Sequence, residues 1–298
     1  METLKILVVS QKGGVGKSTL STNLAAWFGE IKKQRTTLID FDPHASSSVW
    51  LNHLNPKNVF VNNAVISDFS AQRWYIGART VIRKMDTSSN IIIADVTWTS
   101  GMNSSFMREF DLVIVPTSVS SIDLEATNEF ISKNLTKSIN NSFTNSRLNQ
   151  DPSLMLLPSM VTNDQMRCNP FAKEYYSFSF LLLPPIPLDP EIRKLFKNNF
   201  IHNTTLKIKD SYEVCFESIY QAGKLHLRDN KFANSRLNTS LKINKTNNPN
   251  VVLSKEVKTW STNSKIKDVK NVIPNFEEQK KLKTNKRKKT WIQRISLW

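Results

Sequence analysis

Eight consecutive residues, Lys12-Gly13-Gly14-Val15-Gly16-Lys17-Ser18-Thr19, combine three glycines with two lysines and two hydroxyls. Glycine enters left-handed backbone angles without a Cβ penalty. A run of such angles turns successive N–H groups inward and makes a nest for an anion. The apolar run Leu4-Lys5-Ile6-Leu7-Val8-Val9 precedes the cluster, and Leu20, Leu24, Trp27, Phe28 and Ile31 follow it at helical spacing. Strand, glycine loop, helix is the setting of a phosphate-binding loop. The helix N-terminus adds a field that favours anions. In this reading Gly13, Gly14, Val15 and Gly16 cradle phosphates with backbone N–H groups. Lys17 reaches the β- and γ-phosphates, the Ser18 hydroxyl binds Mg²⁺, and Thr19 meets the α-phosphate.

The elements that must position this loop alternate between two periods. Short apolar runs at Thr37–Ile39, Ile91–Ala94, Leu112–Val115, Leu154–Leu157 and Phe180–Leu183 read as strands. Helical stretches fall between them, notably 122–139, with a last helix over about 212–227. Strands alternating with helices imply a mainly parallel sheet wrapped by helices. Asn140 to Asp151 reads as a polar loop, and no internal repeat is visible. The expected architecture is an α/β P-loop NTPase domain over residues 1–228, followed by a basic, largely disordered tail over 229–298.

Charge supports that division. The chain has 298 residues, 41 Lys+Arg against 25 Asp+Glu, and a formal charge of +16. Residues 1–223 hold 22 basic and 20 acidic residues, whereas residues 224–298 hold 19 basic and 5 acidic, a net of +14. The basic quarter is rich in Asn, Ser and Thr and lacks apolar periodicity until its end. It cannot bury enough apolar surface to offset its ordering entropy. A strongly basic segment attracts a polyanion, either nucleic acid or an anionic membrane; a solvated extension is the bland alternative. The two cysteines, Cys168 and Cys215, cannot staple the fold, and neither lies in a C-x-x-C pair. No apolar run approaches the ~20 residues of a spanning helix, and no signal-peptide pattern opens the chain. The expected location is cytoplasmic, at the nucleoid or the inner membrane face.

The general loop pattern G-x-x-x-x-G-K-[ST] begins with glycine; here Gln11 holds that place and Lys12 follows. The form KGGVGKST resembles the deviant Walker A motif of the ParA/MinD family of P-loop ATPases. Leu38-Ile39-Asp40-Phe41-Asp42-Pro43 is similar to the family's D-x-D-P signature, and Ile91-Ile92-Ile93-Ala94-Asp95 to its Walker B strand. Asp111 to Thr117 resembles the next strand, and Pro185-Ile186-Pro187 the loop near the adenine. The resemblance covers roughly residues 3–225. It implies ATP and Mg²⁺ as ligands and an ATP-bound homodimer. It implies that Lys12 crosses to the partner subunit's nucleotide, as arginine fingers do. It further implies that Asp42 positions the attacking water, that Asp40 helps hold the Mg²⁺ hydration shell, and that Asp95 bonds a Mg²⁺-bound water. Pro187 is implied at the base. Ordinary polar strand ends are the alternative reading of Asp40 and Asp42.

Two departures stand out. His44-Ala45 replaces the family's usual Gln-Gly, and Val96-Thr97-Trp98 replaces the prolines and small residues that often follow Asp95. His44 reads as a solvated loop residue rather than a ligand contact. Trp98 is a candidate for the dimer face. Nitrogenase-type reductases share the loop but use paired cysteines, and the first 167 residues here contain none. His44, His53, His202 and His226 show no metal-ligand spacing.

The chain ends with Lys286-Arg287-Lys288-Lys289 and then Trp291 to Trp298. On a helix Trp291, Ile292, Ile295 and Trp298 share one face. That pattern suits an interfacial membrane anchor, and it resembles the C-terminal targeting helix of the MinD branch. Tryptophan stacking on bases and docking on protein are the alternatives. The family resemblance implies an ATP-driven partitioning or positioning switch for a plasmid, chromosome region or protein assembly. Its dimer would bind non-specific DNA or membrane, and a ParB-like or adaptor protein would stimulate slow hydrolysis. The alternatives are a MinD-like membrane-bound spatial regulator, an assembly or metal-carrier ATPase on the same fold, and a nucleotide-binding protein without turnover.

Overall fold

Among the described residues seven strands form one parallel sheet in the order β3-β2-β4-β1-β5-β6-β7. They are β1 (Leu4–Ser10), β2 (Thr36–Asp40), β3 (Val59–Asn63), β4 (Ile91–Thr97), β5 (Leu112–Thr117), β6 (Ser153–Pro158) and β7 (Leu181–Leu182). The helices are α1 (Lys17–Glu30), α2 (Ser46–Leu54), α3 (Ala71–Asp86), α4 (Ser121–Ile131) and α5 (Lys209–Asn244). This is a computed structural model, and it describes residues 2–64, 66, 71–136, 151–165 and 178–244. The expected loop at 140–151 falls outside these residues except for Asp151. Cys168 and the chain end with Trp291, Ile292, Ile295 and Trp298 also fall outside.

The central strands are buried on both faces, as parallel strands covered by helices must be. β1 lies between β4 and β5, so the chain reverses its direction of travel across the sheet there. Ligands bind outside the carboxyl ends of strands at such a switch point. The register sets those ends level: Asp40 pairs with Asp95 across β2 and β4, and Ser10 pairs with Thr97 across β1 and β4. A buried aromatic group fixes one face. Phe106 packs edge-on against Phe41, Trp74 and Phe110 at centroid distances of 5.7, 4.9 and 5.1 Å.

Three local findings differ from the sequence expectations. β3 was not expected; its apolar part is only Val59-Phe60-Val61, and as an edge strand it is half exposed. The final helix, expected over about 212–227, spans Lys209–Asn244. No glycine or proline interrupts residues 224–244, so nothing local stops it. The chain divides into two units at Ile219 and Tyr220, within this helix. Trp98 is core rather than an exposed interface residue. It is 3% exposed and packs edge-on against Phe130 with centroids 5.9 Å apart.

α2 begins in an unusual way. Ala45 precedes it at φ 52°, ψ 29°, in the left-handed region. An L-residue loses roughly 1–2 kcal/mol there, and glycine would relieve it at a smaller entropic cost. Ala45→Gly is therefore expected to stabilise the protein by about 1 kcal/mol. The check is a higher urea midpoint with an unchanged m-value.

A second expectation concerns pH. Asp111 precedes β5 and accepts the Lys5 N–H through Oδ2 at 2.7 Å. Burial pushes its carboxyl up to about 6, against the pull of the Lys5 N–H and ammonium. The folded state thus holds this proton more tightly than the unfolded chain does. The favourable contribution is full below the ordinary value of 3.8 and is lost as pH rises through about 6. Asp111→Asn keeps an acceptor for Lys5 and removes the charge. It should exceed wild type in stability by about 1–3 kcal/mol at neutral pH, with the difference vanishing near pH 4. Urea unfolding at both pH values measures this.

Candidate functional site

The glycine loop leaves β1 at Ser10 and enters α1 at Lys17. Gly14 and Gly16 have φ of 79° and 82°, so both need the freedom that glycine gives. Gly16 caps α1 without any side-chain bond, and the first turn holds no acidic residue. The first N–H groups of α1 are thus left for an anion. Two hydroxyls brace the loop from outside. Ser10 Oγ donates to the Lys12 carbonyl at 2.9 Å, and buried Ser159 Oγ donates to the Val15 carbonyl at 2.8 Å. Asn23, fully buried on α1, donates to the Thr19 carbonyl and accepts the Ile201 N–H, both at 2.8 Å. It ties the phosphate side of the site to the segment around residue 200.

Beneath the loop lies a cluster of charge. Lys17 Nζ sits 2.7 Å from Asp95 Oδ1, 3.2 Å from Asp42 Oδ2 and 3.4 Å from Ser18 Oγ. Burial alone would lower the Lys17 pKa, but Asp95 and Asp42 outweigh it and hold the ammonium above its ordinary value. Asp42 is opposite in sign. Burial opposes its ionisation, yet the Thr97 hydroxyl, the His44 N–H and Lys17 together hold its carboxyl below the usual range. Asp95 is fully buried, and its second oxygen accepts the Ser47 hydroxyl. The structure thus brings together Lys17, Ser18, Asp42 and Asp95, as the sequence implied.

Asp40 stands differently. Its Oδ1 accepts the Asp42 N–H at 3.0 Å; its Oδ2 accepts the Ser48 N–H at 2.9 Å and the Ser48 hydroxyl at 3.0 Å. Burial, aided by the nearby Asp95 charge, raises its pKa against those bonds. Both oxygens hold the start of α2 and the turn after β2. A place in a Mg²⁺ hydration shell would have to compete with these bonds. Lys12 is also apart from the Lys17 cluster. It pairs with Asp123 in the first turn of α4, and Asp123 also accepts the Ser118 hydroxyl.

The donor set fits Mg²⁺. Ser18 Oγ and Asp95 Oδ1 lie 3.4 and 2.7 Å from the same Lys17 ammonium, so a hydroxyl and a buried carboxylate stand near one another. Among the described residues no group of three His, Cys, Asp or Glu could hold a metal alone. Mg²⁺ keeps most of its waters and takes few protein carboxylates. A cavity of about 1370 Å³ opens over the site, with Thr19, Pro187, Arg193 and Phe196 in its walls. Its volume exceeds the roughly 300–1,000 Å³ of ordinary small-molecule pockets. His44 is exposed, lines the cavity, and bonds Asp42 through its backbone N–H.

Sequence reasoning did not reach Ser47, Ser48, Ser159, Asn23 or Asp123, and it left Thr97 as an unexplained departure. One signal was present: Thr97 lies two residues after Asp95, on the same side of the strand. The serine run at 46–48 also marks a helix start. The pairings that give these hydroxyls their roles depend on strand order.

The fold recurs in solved structures. The septum site-determining protein MinD of Pyrococcus horikoshii, complexed with Mg-ADP, is 17% identical, with TM-score 0.56 over 75% of this chain and 98% of that one. A variant of McdA from Cyanothece in complex with ATP is 12% identical, with TM-score 0.57 over 74% and 97%. A plasmid partition protein from Borrelia burgdorferi is 17% identical, with TM-score 0.51 over 74% and 99%. No curated protein matches in sequence. Residues 6–201, a span that holds the glycine loop, all three carboxylates and six of the seven strands in full, match the CobQ/CobB/MinD/ParA nucleotide binding domain, and the chain belongs to that family.

Proposed function

We propose that the protein is an ATPase that works as a dimerisation switch, partitioning or positioning DNA or another intracellular cargo. One observation carries the nucleotide part of this reading: a buried lysine at the base of a glycine loop, held between two carboxylates. Triphosphate oxygens in the loop would compete with Asp42 and Asp95 for Lys17. Asp42 would then be free to orient water, and Asp95 to meet a Mg²⁺-bound water near Ser18. Mg²⁺, when bound, offsets phosphate charge. Lys12 would leave Asp123 and reach the nucleotide of a second subunit, where a cation stabilises charge on the transferring group. Hydrolysis is slow in this reading, and a ParB-like or adaptor protein stimulates it.

Binding of a labelled ATP analogue with Mg²⁺ tests the first step. Lys17→Ala should lose roughly 100-fold in affinity, because a hydrogen-bonded charge pair is removed. Asp42→Ala should keep the affinity, stop turnover and accumulate dimer in sedimentation. Undiminished binding by Lys17→Ala, or wild-type turnover by Asp42→Ala, would overturn the reading.

The basic tail is proposed to bind the anionic surface on which the switch works. What supports this is sequence charge, +14 over residues 224–298. Counterion release makes such binding steeply salt-dependent. If that surface is membrane, Trp291→Glu with Ile295→Glu should abolish co-sedimentation with anionic vesicles. If it is DNA, that pair should matter little, and neutralising Lys286, Arg287, Lys288 and Lys289 should weaken the gel shift strongly. Binding to both surfaces that survives both sets of substitutions would show that the chain end does not supply the contact.

A further inference from the structure

The Asp42 carboxylate is held at three points. The His44 N–H donates to Oδ1 at 3.0 Å, in an exposed loop. Lys17 Nζ lies 3.2 Å from Oδ2. The Thr97 hydroxyl donates to the same Oδ2. These three differ in how firmly they are anchored. Lys17 is the group that a triphosphate would draw away. His44 stands in the loop between β2 and α2, whose next residue already has a left-handed backbone. Thr97 is the last residue of β4, directly beside Ser10 of β1. The following residue, Trp98, donates its N–H to the Ser10 carbonyl at 2.9 Å and is buried against Phe130. Thr97 is also β-branched, which limits its side-chain rotation.

We infer that Thr97 is a positioning residue for turnover: its hydroxyl keeps Asp42 aimed while Lys17 turns to the nucleotide. The inference rests on the reading of Asp42 given above. It follows from where the two residues stand. Asp42 lies beyond the end of β2, on a turn, and cannot fix its own side chain. Thr97 stands on the sheet, close to the loop that holds the phosphates. A bond between them references the water-orienting carboxylate to β1 and β4 rather than to its own turn. Small losses of such alignment are felt strongly in rate. Thr97 lines the same cavity as the glycine loop, but its bond serves Asp42, whose own removal is expected to spare affinity, so deleting the donor should leave binding unchanged.

Thr97→Val keeps the shape and deletes the donor; Thr97→Ser keeps the donor. Steady-state ATP hydrolysis and analogue affinity are measured for full-length wild type, both variants and Asp42→Asn. A hydrogen bond to a charged group corresponds to roughly 10- to 100-fold in rate. The expected result is a kcat lower by that factor in Thr97→Val, with KM and analogue affinity unchanged, and recovery of most of the rate in Thr97→Ser. Wild-type kcat in Thr97→Val beside an inactive Asp42→Asn would overturn the inference and leave the role of Asp42 standing. A loss of analogue affinity in Thr97→Val that Thr97→Ser does not repair would also overturn it, because Thr97 would then be structural only. Wild-type turnover in Asp42→Asn would remove the underlying reading itself.

Discussion

The Lys17 ammonium has a side chain only 8% exposed, and a buried cation must be neutralised where it lies. Its partners cannot come from its own helix, because the first turn of α1 holds no acidic residue. They come from the end of β4, as Asp95, and from just past β2, as Asp42. For both to reach one ammonium at the start of α1, β2 and β4 must lie on the same side of β1, with their carboxyl ends level. The strand order β2-β4-β1 and the pairing of Asp40 with Asp95 meet that requirement. A different strand order would leave either an unpaired cation or an unpaired carboxylate in the interior. Breaking a buried pair by removing one partner costs several kcal/mol, so the charge cluster constrains the topology as much as the topology builds the cluster.

One lysine does not balance three carboxylates, and hydroxyls supply the remainder. Ser47 donates to Asp95, Ser48 to Asp40 and Thr97 to Asp42, so each carboxylate has its own side-chain donor. Two of the three donors stand on α2. That helix is therefore part of the site's electrostatics although it contributes no charge near the loop. Its left-handed entry at Ala45 sets the angle at which Ser47 and Ser48 arrive. The pKa directions follow the same division. Asp42 has an ammonium and two donors and is held low, whereas Asp40, deeper and without a cation of its own, is pushed up. Networks of this kind hold a unique arrangement only when every member is satisfied.

This arrangement explains which features were legible in the sequence. Six strands announced themselves as apolar runs. For the interior ones the reason is that a strand buried on both faces has almost no freedom in composition. β7, a half-exposed edge strand, was legible because its segment Phe180–Leu183 is apolar throughout. The glycine loop was equally plain, since its φ angles admit few other residues. β3 was hidden: at the sheet edge it is half exposed, and Asn62 and Asn63 end it. The hydroxyl donors were hidden for another reason. Serine and threonine suit caps, turns and surfaces alike, and only the register of β1, β2 and β4 turns Thr97 toward Asp42. Trp98 misled as a lone aromatic beside a site; the helix that covers it is 32 residues away in sequence, at Phe130. The reach of α5 was masked by polar composition, which argues against burial but not against helix.

The two loop lysines are set in opposite ways, and the difference bears on how such a site changes state. Lys17 is buried against two carboxylates, so its release leaves uncompensated charge unless another anion takes its place. Lys12 has a side chain 54% exposed and a single acidic partner, Asp123. Water competes for the Lys12 end of that pair, while Asp123, only 10% exposed, keeps the Ser118 hydroxyl as a second donor. Departure of Lys12 leaves one carboxylate that still holds a hydroxyl donor, whereas departure of Lys17 leaves two carboxylates without their shared cation. A loop built this way does not rearrange until an anion enters it. In the proposed switch, the singly paired cation at its mouth would then follow the negative charge. The unequal hold on two lysines five residues apart would, in that switch, set the order in which they move.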